Sequence, residues 1–169
     1  MQKIALFEKV SPGQFAEGWI GVFGSDDGAA AAYESLPLPR RATAGSAGYD
    51  FVLPFDLTLA PGQTAKIPTG IRARIADGWV LMLFPRSGLG FKYRLQLDNT
   101  VGIIDSDYYG ASNEGHIFVK ITNDSREGKS LSLRAGDPFV QGVFVPFGMT
   151  EDDEADGVRN GGFGSTSVR

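Results

Sequence analysis

The segment from Asn99 to Tyr108 carries the residue types in this sequence that are best suited to chemistry. It places a carboxylate, Asp105, and an aromatic ring, Tyr108, around an apolar run that predicts a tight hairpin. The backbone of such a hairpin can grip a flat ring, and the carboxylate can deprotonate a water molecule. Taken alone, Asp105 equally fits a turn residue, and Tyr108 equally fits a half-buried core aromatic.

A second candidate site is the cationic, glycine-rich turn Pro85-Arg-Ser-Gly-Leu-Gly90. Arg86 offers a forked donor, Ser87 a hydroxyl donor and Gly88 an unobstructed backbone N–H, and all three suit phosphate oxygens. An isolated tripeptide of this kind is more often an ordinary turn at the end of a strand.

The C-terminal segment from Arg159 to Thr166 carries a cation, the ring of Phe163 and two hydroxyls, of which Ser165 supplies one. Its glycines prevent it from holding one conformation alone, and an exposed phenylalanine there has no structural purpose. We expect the segment to close over a ligand, with Phe163 stacked on a base and the polar side chains on phosphate oxygens. A disordered terminus is the alternative. The preceding acidic linker, residues 151–156, should be solvated.

Length, charge and composition bound the protein class. A chain of 169 residues predicts one domain with a real core. A net charge of -4 argues against broad nucleic-acid binding, so any phosphate recognition should be local. The absence of cysteine excludes disulfides, thiolate metal sites and cysteine catalysis. No stretch predicts a membrane span or a secretion signal, and we expect a cytoplasmic protein. The single histidine, His116, has no second imidazole beside it and is interpreted as structural.

The chain reads as many short strands separated by turns, which predicts an all-β sandwich or barrel. The exception is residues 11–36, where Ser11 and Pro12 fit an N-cap and a first helical position. Phe15 and Trp19 then share one helical face. This helical insertion follows a first strand near residues 3–9. It is either a device that binds a partner or another subunit, or a packing decoration.

The order of these pieces resembles that of the homotrimeric dUTP diphosphatases (dUTPases). The resemblance runs from about Leu36 to the end, and it rests on five motifs in sequence: Ala47-Gly-Tyr-Asp-Phe51, Pro85-Arg-Ser-Gly-Leu-Gly90, Gly102-Ile-Ile-Asp-Ser-Asp-Tyr108, Gly136-Asp-Pro-Phe-Val-Gln141 and Gly161-Gly-Phe-Gly-Ser-Thr166. It implies a jelly-roll barrel over residues 1–150 and a linker with a mobile active-site tail over residues 151–169. It also implies a homotrimer that hydrolyses dUTP to dUMP and pyrophosphate with Mg²⁺.

The resemblance also implies a role for each motif. Asp105 would activate the water that attacks the α-phosphorus, and Tyr108 would pack under the deoxyribose. The uracil edge would be read by Asn99 and by the backbone around Gly102 and Ile104. The residues that would contact the phosphates are Arg86, Ser87, Gly88 and Gln141. Asp50 would reach a Mg²⁺ ion through water. The closing tail would supply Arg159, Phe163, Ser165 and Thr166. Because these groups come from different chains, a monomer should be inactive.

Four departures from the family pattern stand out: Pro138 replaces a basic residue, Arg159 lies close to Phe163, the chain between Tyr109 and His116 is longer than usual, and the helical segment of residues 11–36 is additional. Two alternative functions remain. Relatives that deaminate dCTP need a glutamate in the base pocket, for which Glu114 is the only nearby candidate. The other alternative is a dUTP-gated switch that binds a protein partner through the helical insertion.

Overall fold

Antiparallel strands dominate the residues that the computed structural model describes, which are 2–157. Within that range the chain contains eleven strands in order: β1 (Ala5–Lys9), β2 (Tyr49–Val52), β3 (Leu57–Leu59), β4 (Thr64–Pro68), β5 (Ile71–Ile75), β6 (Trp79–Pro85), β7 (Leu95–Leu97), β8 (Gly102–Ile104), β9 (Phe118–Asn123), β10 (Leu131–Leu133) and β11 (Pro138–Pro146). The helices are α1 (Pro12–Phe23), α2 (Ala29–Ser35), α3 (Ser87–Tyr93) and a 3₁₀ helix (Ser106–Gly110). The mostly β composition was predicted from the alternating sequence pattern.

The largest sheet has the strand order β2-β11-β6-β8, so that β6 is paired on both sides. A three-stranded sheet (β4-β9-β7) and two strand pairs (β1-β5 and β3-β10) complete the arrangement. Every one of these pairings is antiparallel. Alternate side chains of each strand point inward, and those from all four sheets meet in one apolar core. Among the residues described, no helix combines the length and the apolar character needed to cross a membrane.

The N-terminal helical segment (residues 11–36) forms the two helices that the sequence predicts. Ser11 is the N-cap of α1, its Oγ accepts the backbone N–H of Gln14 at 3.2 Å, and Pro12 occupies the first helical position. The buried face of α1 carries Phe15 and Trp19, which form a small second core with the buried side chains of Val10, Ala29 and Ala32. The segment is therefore packed onto the β body by its own apolar stripe.

His116 lies between α1 and the β body and is fully buried. Its Nε2 accepts the backbone N–H of Gly70 at 2.9 Å, whereas Nδ1 has no hydrogen-bond partner. Burial lowers the pKa of His116 from its ordinary value of 6.5 to about 4, with Lys66 also lowering it and Glu114 opposing. The imidazole is therefore neutral at neutral pH, which agrees with the structural role expected from the sequence.

We expect the free energy of unfolding to fall as the pH is lowered from 6.5 to about 4. In that window the unfolded chain binds a proton at His116 while the folded chain does not, so acid favours unfolding. The full difference in pKa corresponds to about 3 kcal/mol. In His116→Gln, whose amide oxygen can still accept from Gly70, this part of the pH dependence should disappear. Urea unfolding of both proteins between pH 7 and pH 4 measures the difference, and parallel curves would contradict the assignment.

Candidate active site

Strand β11 brings three of the sequence motifs to one end of the largest sheet. Gln141 on β11 lies opposite Asp50 on β2 and opposite Phe84 on β6. The backbone N–H of Arg86, just after β6, donates to the carbonyl of Phe139 at 3.2 Å. Together with the next two residues of the chain these form a group that we call the Arg86 cluster: Asp50, Arg86, Ser87, Gly88 and Gln141.

An ion pair lies at the centre of the Arg86 cluster. One guanidinium nitrogen of Arg86 donates to Oδ2 of Asp50 at 2.7 Å, and the side chains are 38% and 21% exposed, respectively. A guanidinium carries five N–H donors, so the bond to Asp50 leaves others for a ligand. The pair thus joins the residue expected to contact phosphate to the residue expected to reach a metal.

The glycine-rich segment after β6 differs from the turn that the sequence predicts. Arg86 has extended backbone angles and acts as the N-cap of α3, so the segment opens a seven-residue helix that continues to Tyr93. Ser87 and Gly88 occupy its first turn and are exposed. Backbone N–H groups in a first helical turn have no partner within the helix, so Ser87 and Gly88 present a hydroxyl and N–H groups to solvent.

Gln141 is held in place by two neighbours. Its side-chain nitrogen donates to the carbonyl of Pro85 at 3.3 Å. A Cβ atom at Gly48 would lie 2.5 Å from its side-chain oxygen, so no larger residue fits there without moving it. Gly48 is a residue whose function sequence reasoning missed, although it lies within the first motif. Pro138 lies at a shift in register between β11 and β2, where a residue without an N–H is tolerated.

Asp105 follows β8 directly and is half-buried at the start of the 3₁₀ helix. Gly102 and Ile104, both buried, lie opposite Leu83 and Leu81 of β6. A Cβ atom at Gly102 would lie 3.0 Å from the Cβ of Leu83, which explains why glycine occupies this position.

The sequence predicts a hairpin around Asn99, but the two strands on either side of Asn99, β7 and β8, do not pair with each other. β7 pairs with β9, and β8 pairs with β6, so the two strands that flank Asn99 belong to different sheets. Asn99 is exposed in the loop that crosses between them. Turn residues between two apolar runs indicate a reversal of the chain, but they do not specify the sheet that each run joins.

Tyr108 is almost fully buried in the single chain. It is only 3% exposed and belongs to the main core. Its hydroxyl donates to the carbonyl of His116 at 2.7 Å and accepts from the side-chain amide of Asn113 at 2.8 Å. The packing under deoxyribose that the family resemblance implies for Tyr108 stays a prediction.

The Arg86 cluster and Asp105 lie at opposite ends of β6. Ile104 is opposite Leu81, so Asp105 falls near the level of Val80, whereas Arg86 follows the far end of the strand. With a rise of about 3.3 Å per residue, six residues separate these levels by roughly 20 Å. One chain therefore does not bring Asp105 to its own Arg86 cluster.

Two further expectations concern a metal-binding site and the C-terminal tail. Within residues 2–157 no group of three or more histidine, cysteine, aspartate or glutamate side chains is arranged to hold a metal ion. The tail residues Arg159, Phe163, Ser165 and Thr166 lie outside the described residues.

Comparison with known proteins assigns the family. The model of the dUTPase family matches residues 34–167. The deoxyuridine 5'-triphosphate nucleotidohydrolase of Lactococcus lactis subsp. lactis (strain IL1403) is 42% identical over 136 residues, which are 79% of this chain and 89% of that protein. The crystal structure of the Streptococcus mutans dUTPase superposes with a TM-score of 0.60 at 43% identity, over 68% of this chain and 88% of that one.

A third protein, the dUTPase of phage phi11 of S. aureus with a coordinated structural Mg(II) ion, has a TM-score of 0.63. It covers 92% of this chain and 98% of its own, but at 20% identity it supports the fold alone. The five motifs, the family match over residues 34–167 and the relatives above 40% identity agree. The chain belongs to the dUTPase family.

Proposed function

We propose that this protein hydrolyses dUTP to dUMP and pyrophosphate. The observation that carries the proposal is the Arg86 cluster, in which three motifs distant in sequence meet around the Asp50–Arg86 ion pair. Such a cluster offers a guanidinium, a hydroxyl, backbone N–H groups and an amide, all of them donors suited to phosphate oxygens. The 42% identical relative from Lactococcus lactis is named for this reaction.

Asp105 is the proposed base. Its carboxylate would orient a water molecule and accept its proton while the water oxygen attacks the α-phosphorus. The bond from the α-phosphorus to the oxygen that bridges to the β-phosphorus then breaks, and pyrophosphate leaves. The Arg86 cluster would hold the departing phosphates, so that catalysis is mainly positioning and neutralisation of charge.

The residues present fit a Mg²⁺ ion held with the substrate. Mg²⁺ usually keeps several waters and binds one or two carboxylates together with substrate phosphates, and Asp50 is a single carboxylate within the Arg86 cluster. When bound, the ion would neutralise phosphate charge. Asp50 would hold it through water, as the resemblance to the family implies.

Selectivity for the base and sugar would come from β8 and its flanks. Asn99 and the backbone at Gly102 and Ile104 would pair with the uracil edge, which penalises bases whose hydrogen bonds stay unpaired. The ring of Tyr108, packed under the deoxyribose, would leave no room for a ribose 2′-hydroxyl. The tail residues Arg159, Phe163, Ser165 and Thr166 would close over the bound nucleotide and expel water.

We infer that the active site is shared between copies of the chain in a homotrimer. The support is the separation of roughly 20 Å between Asp105 and the Arg86 cluster along β6, since a base must reach the reacting water within hydrogen-bond distance. A neighbouring copy that placed its Asp105 beside this cluster would complete the site. The finer fold description, a jelly roll over residues 1–150 with a tail over 151–169, belongs to the same proposal. Cytoplasmic location and the absence of nucleic-acid binding stay predictions.

The alternative function, deamination of dCTP, depends on Glu114 as the glutamate of the base pocket, and the contacts of Glu114 do not support that role. The carboxylate of Glu114 accepts both the backbone N–H and the hydroxyl of Ser11, at 2.7 and 2.6 Å. It is thus engaged with α1 instead of lining a base pocket. Release of ammonia from dCTP by the purified protein would restore this alternative.

A dUTP-gated switch stays a second candidate, supported by exposed apolar side chains on α1. Ile20 and Phe23 are each 45% exposed. A doubly substituted variant, Ile20→Ser with Phe23→Ser, should keep hydrolysis and lose any dUTP-dependent protein partner. Retention of such a partner by the variant would remove α1 from this role.

Asp105→Asn should lower kcat for dUTP by about 10²- to 10⁴-fold, because the amide cannot accept the proton of the attacking water. Binding of a non-hydrolysable dUTP analogue should persist in calorimetry. Asp77→Asn, the same chemical change in the exposed turn before β6, is the matched control and should leave turnover unchanged. Near-normal turnover of Asp105→Asn would show that another group is the base.

A mixing experiment tests the shared site. Arg86→Ala and Asp105→Asn should each be inactive, but an equal mixture of the two that assembles at random into trimers should recover up to about a quarter of the wild-type activity. Recovery occurs because some sites then combine an intact Asp105 from one chain with an intact Arg86 from its neighbour. The measurement is pyrophosphate release after the two variants are unfolded, mixed and refolded together. Activity no greater than that of either variant alone would mean that both residues act within one chain.

A further inference from the structure

Two of the features that depart from the family pattern, the N-terminal helical segment and the 109–116 loop, contact each other. The carboxylate of Glu114 in the loop accepts from Ser11 at the start of α1, with 2.7 Å to the backbone nitrogen and 2.6 Å to the hydroxyl. These hydrogen bonds from Ser11 lower the pKa of Glu114. The family match begins at residue 34, so α1 lies outside it while the loop lies inside.

A second contact joins the same two features. α1 lies so close to His116 that a Cβ atom at Gly18 would be 2.7 Å from Cε1 of the imidazole. Phe15, one turn earlier in α1, has its ring centroid 6.1 Å from that of His116. α1 thus covers His116, the last residue of the loop, which is fully buried.

The loop in turn holds Tyr108. The carbonyl of His116 accepts from the Tyr108 hydroxyl at 2.7 Å, and the amide of Asn113 donates to the same hydroxyl at 2.8 Å. A Cβ atom at Gly115 would lie 2.7 Å from the carbonyl oxygen of Tyr108. A shift in the second half of the loop therefore changes both the hydroxyl contacts and the backbone packing of Tyr108.

The first half of the loop is anchored separately. Arg72 on β5 donates to the carbonyl of Tyr109 at 3.1 Å and lies 3.6 Å from the centroid of its ring. The hydroxyl of Tyr109 donates to Glu8 on β1 at 2.6 Å. This anchor belongs to the β body, so only the Glu114–His116 half depends on α1.

Glu114 itself has a backbone conformation that needs support. Its φ is +56°, in the left-handed region that residues other than glycine rarely adopt. Such conformations persist when surrounding contacts determine them. The two hydrogen bonds to Ser11 add to the turn hydrogen bonds within the loop, from the N–H of Glu114 to the carbonyl of Ala111 at 2.8 Å and from the N–H of His116 to the carbonyl of Asn113 at 3.0 Å.

We propose that α1 is a positioning element for the sugar side of the site. Through Glu114 and His116 it fixes the loop that holds Tyr108, and it thereby sets how strongly deoxyribose is preferred over ribose. This inference rests on the proposed function, because it assigns a role within the hydrolysis of dUTP. It gives the additional helix and the longer loop one shared purpose.

The test compares dUTP with UTP. In Glu114→Ala the ratio of kcat/KM for dUTP to that for UTP should fall by about tenfold. The Tyr108 side chain is then held less firmly, so that the site admits the 2′-hydroxyl of UTP. A helix that merely stabilised the fold would lower both values by the same factor. Glu114→Gln should recover much of the ratio, since its amide oxygen can accept the N–H of Ser11. Glu17→Ala, on the exposed face of α1, is the matched control and should keep the ratio.

Hydrogen exchange gives a readout that does not depend on activity. Glu114→Ala should exchange faster than wild type in peptides that cover residues 106–116, while peptides from β6 and β11 stay protected. If Glu114→Ala fails to fold, Ser11→Ala, which keeps the backbone N–H, should show a smaller change in the same direction.

The outcomes separate the two proposals. A wild-type protein that does not hydrolyse dUTP overturns the proposed function. A wild type that hydrolyses dUTP, with a ratio unchanged in Glu114→Ala, overturns the positioning role alone. Unchanged exchange in residues 106–116 contradicts the mechanical link on which that role depends.

Discussion

The constraint on which the structure depends is the position of β6 between two partners. It pairs with β11 on one side and with β8 on the other. β11 brings Gln141 to the level of Asp50, close to Arg86 at the end of β6, whereas β8 brings Asp105 towards its beginning. A strand that is hydrogen-bonded along both edges cannot bend enough to close a gap of roughly 20 Å. The length of one strand thus supports the proposal that a neighbouring copy of the chain completes the site.

The charges in the Arg86 cluster suit a site that must be occupied and then vacated. The ion pair of Asp50 and Arg86 is partly exposed, so neither charge carries a large desolvation cost before a ligand arrives. The pair also fixes the guanidinium of Arg86 in place. Less conformational entropy of this side chain is therefore lost when a ligand binds. Gln141, held by Pro85 and Gly48, extends the same preorganised surface.

The sequence predicted those features that short-range rules govern. Ser11 and Pro12 marked the start of α1 correctly, and alternation predicted most strands. It did not predict α3, because Ser87, Gly88 and Gly90 have low helix propensity and the helix follows from its tertiary setting. It also assigned a hairpin at Asn99, since local turn signals carry no information about which sheet a strand joins. The meeting of Asp50 with Arg86 was implied by the order of motifs, not by spacing. The burial of Tyr108 depends on residues 113–116, whose contacts no sequence pattern predicts.

The helical segment and the 109–116 loop are best understood as mutually dependent. Without Glu114, the N-terminus of α1 would keep only the hydroxyl of Ser11 as a cap. Without α1, the loop would hold Glu114 in an unfavourable conformation and would expose His116, whose Nδ1 already lacks a partner. The unpaired Nδ1 of His116 lowers the stability of the fold, because an unpaired polar atom in the interior is unfavourable. His116 nevertheless lies where α1, the loop and Tyr108 meet. An arrangement that tolerates this cost indicates that the position of the loop matters more to the protein than the stability lost at His116.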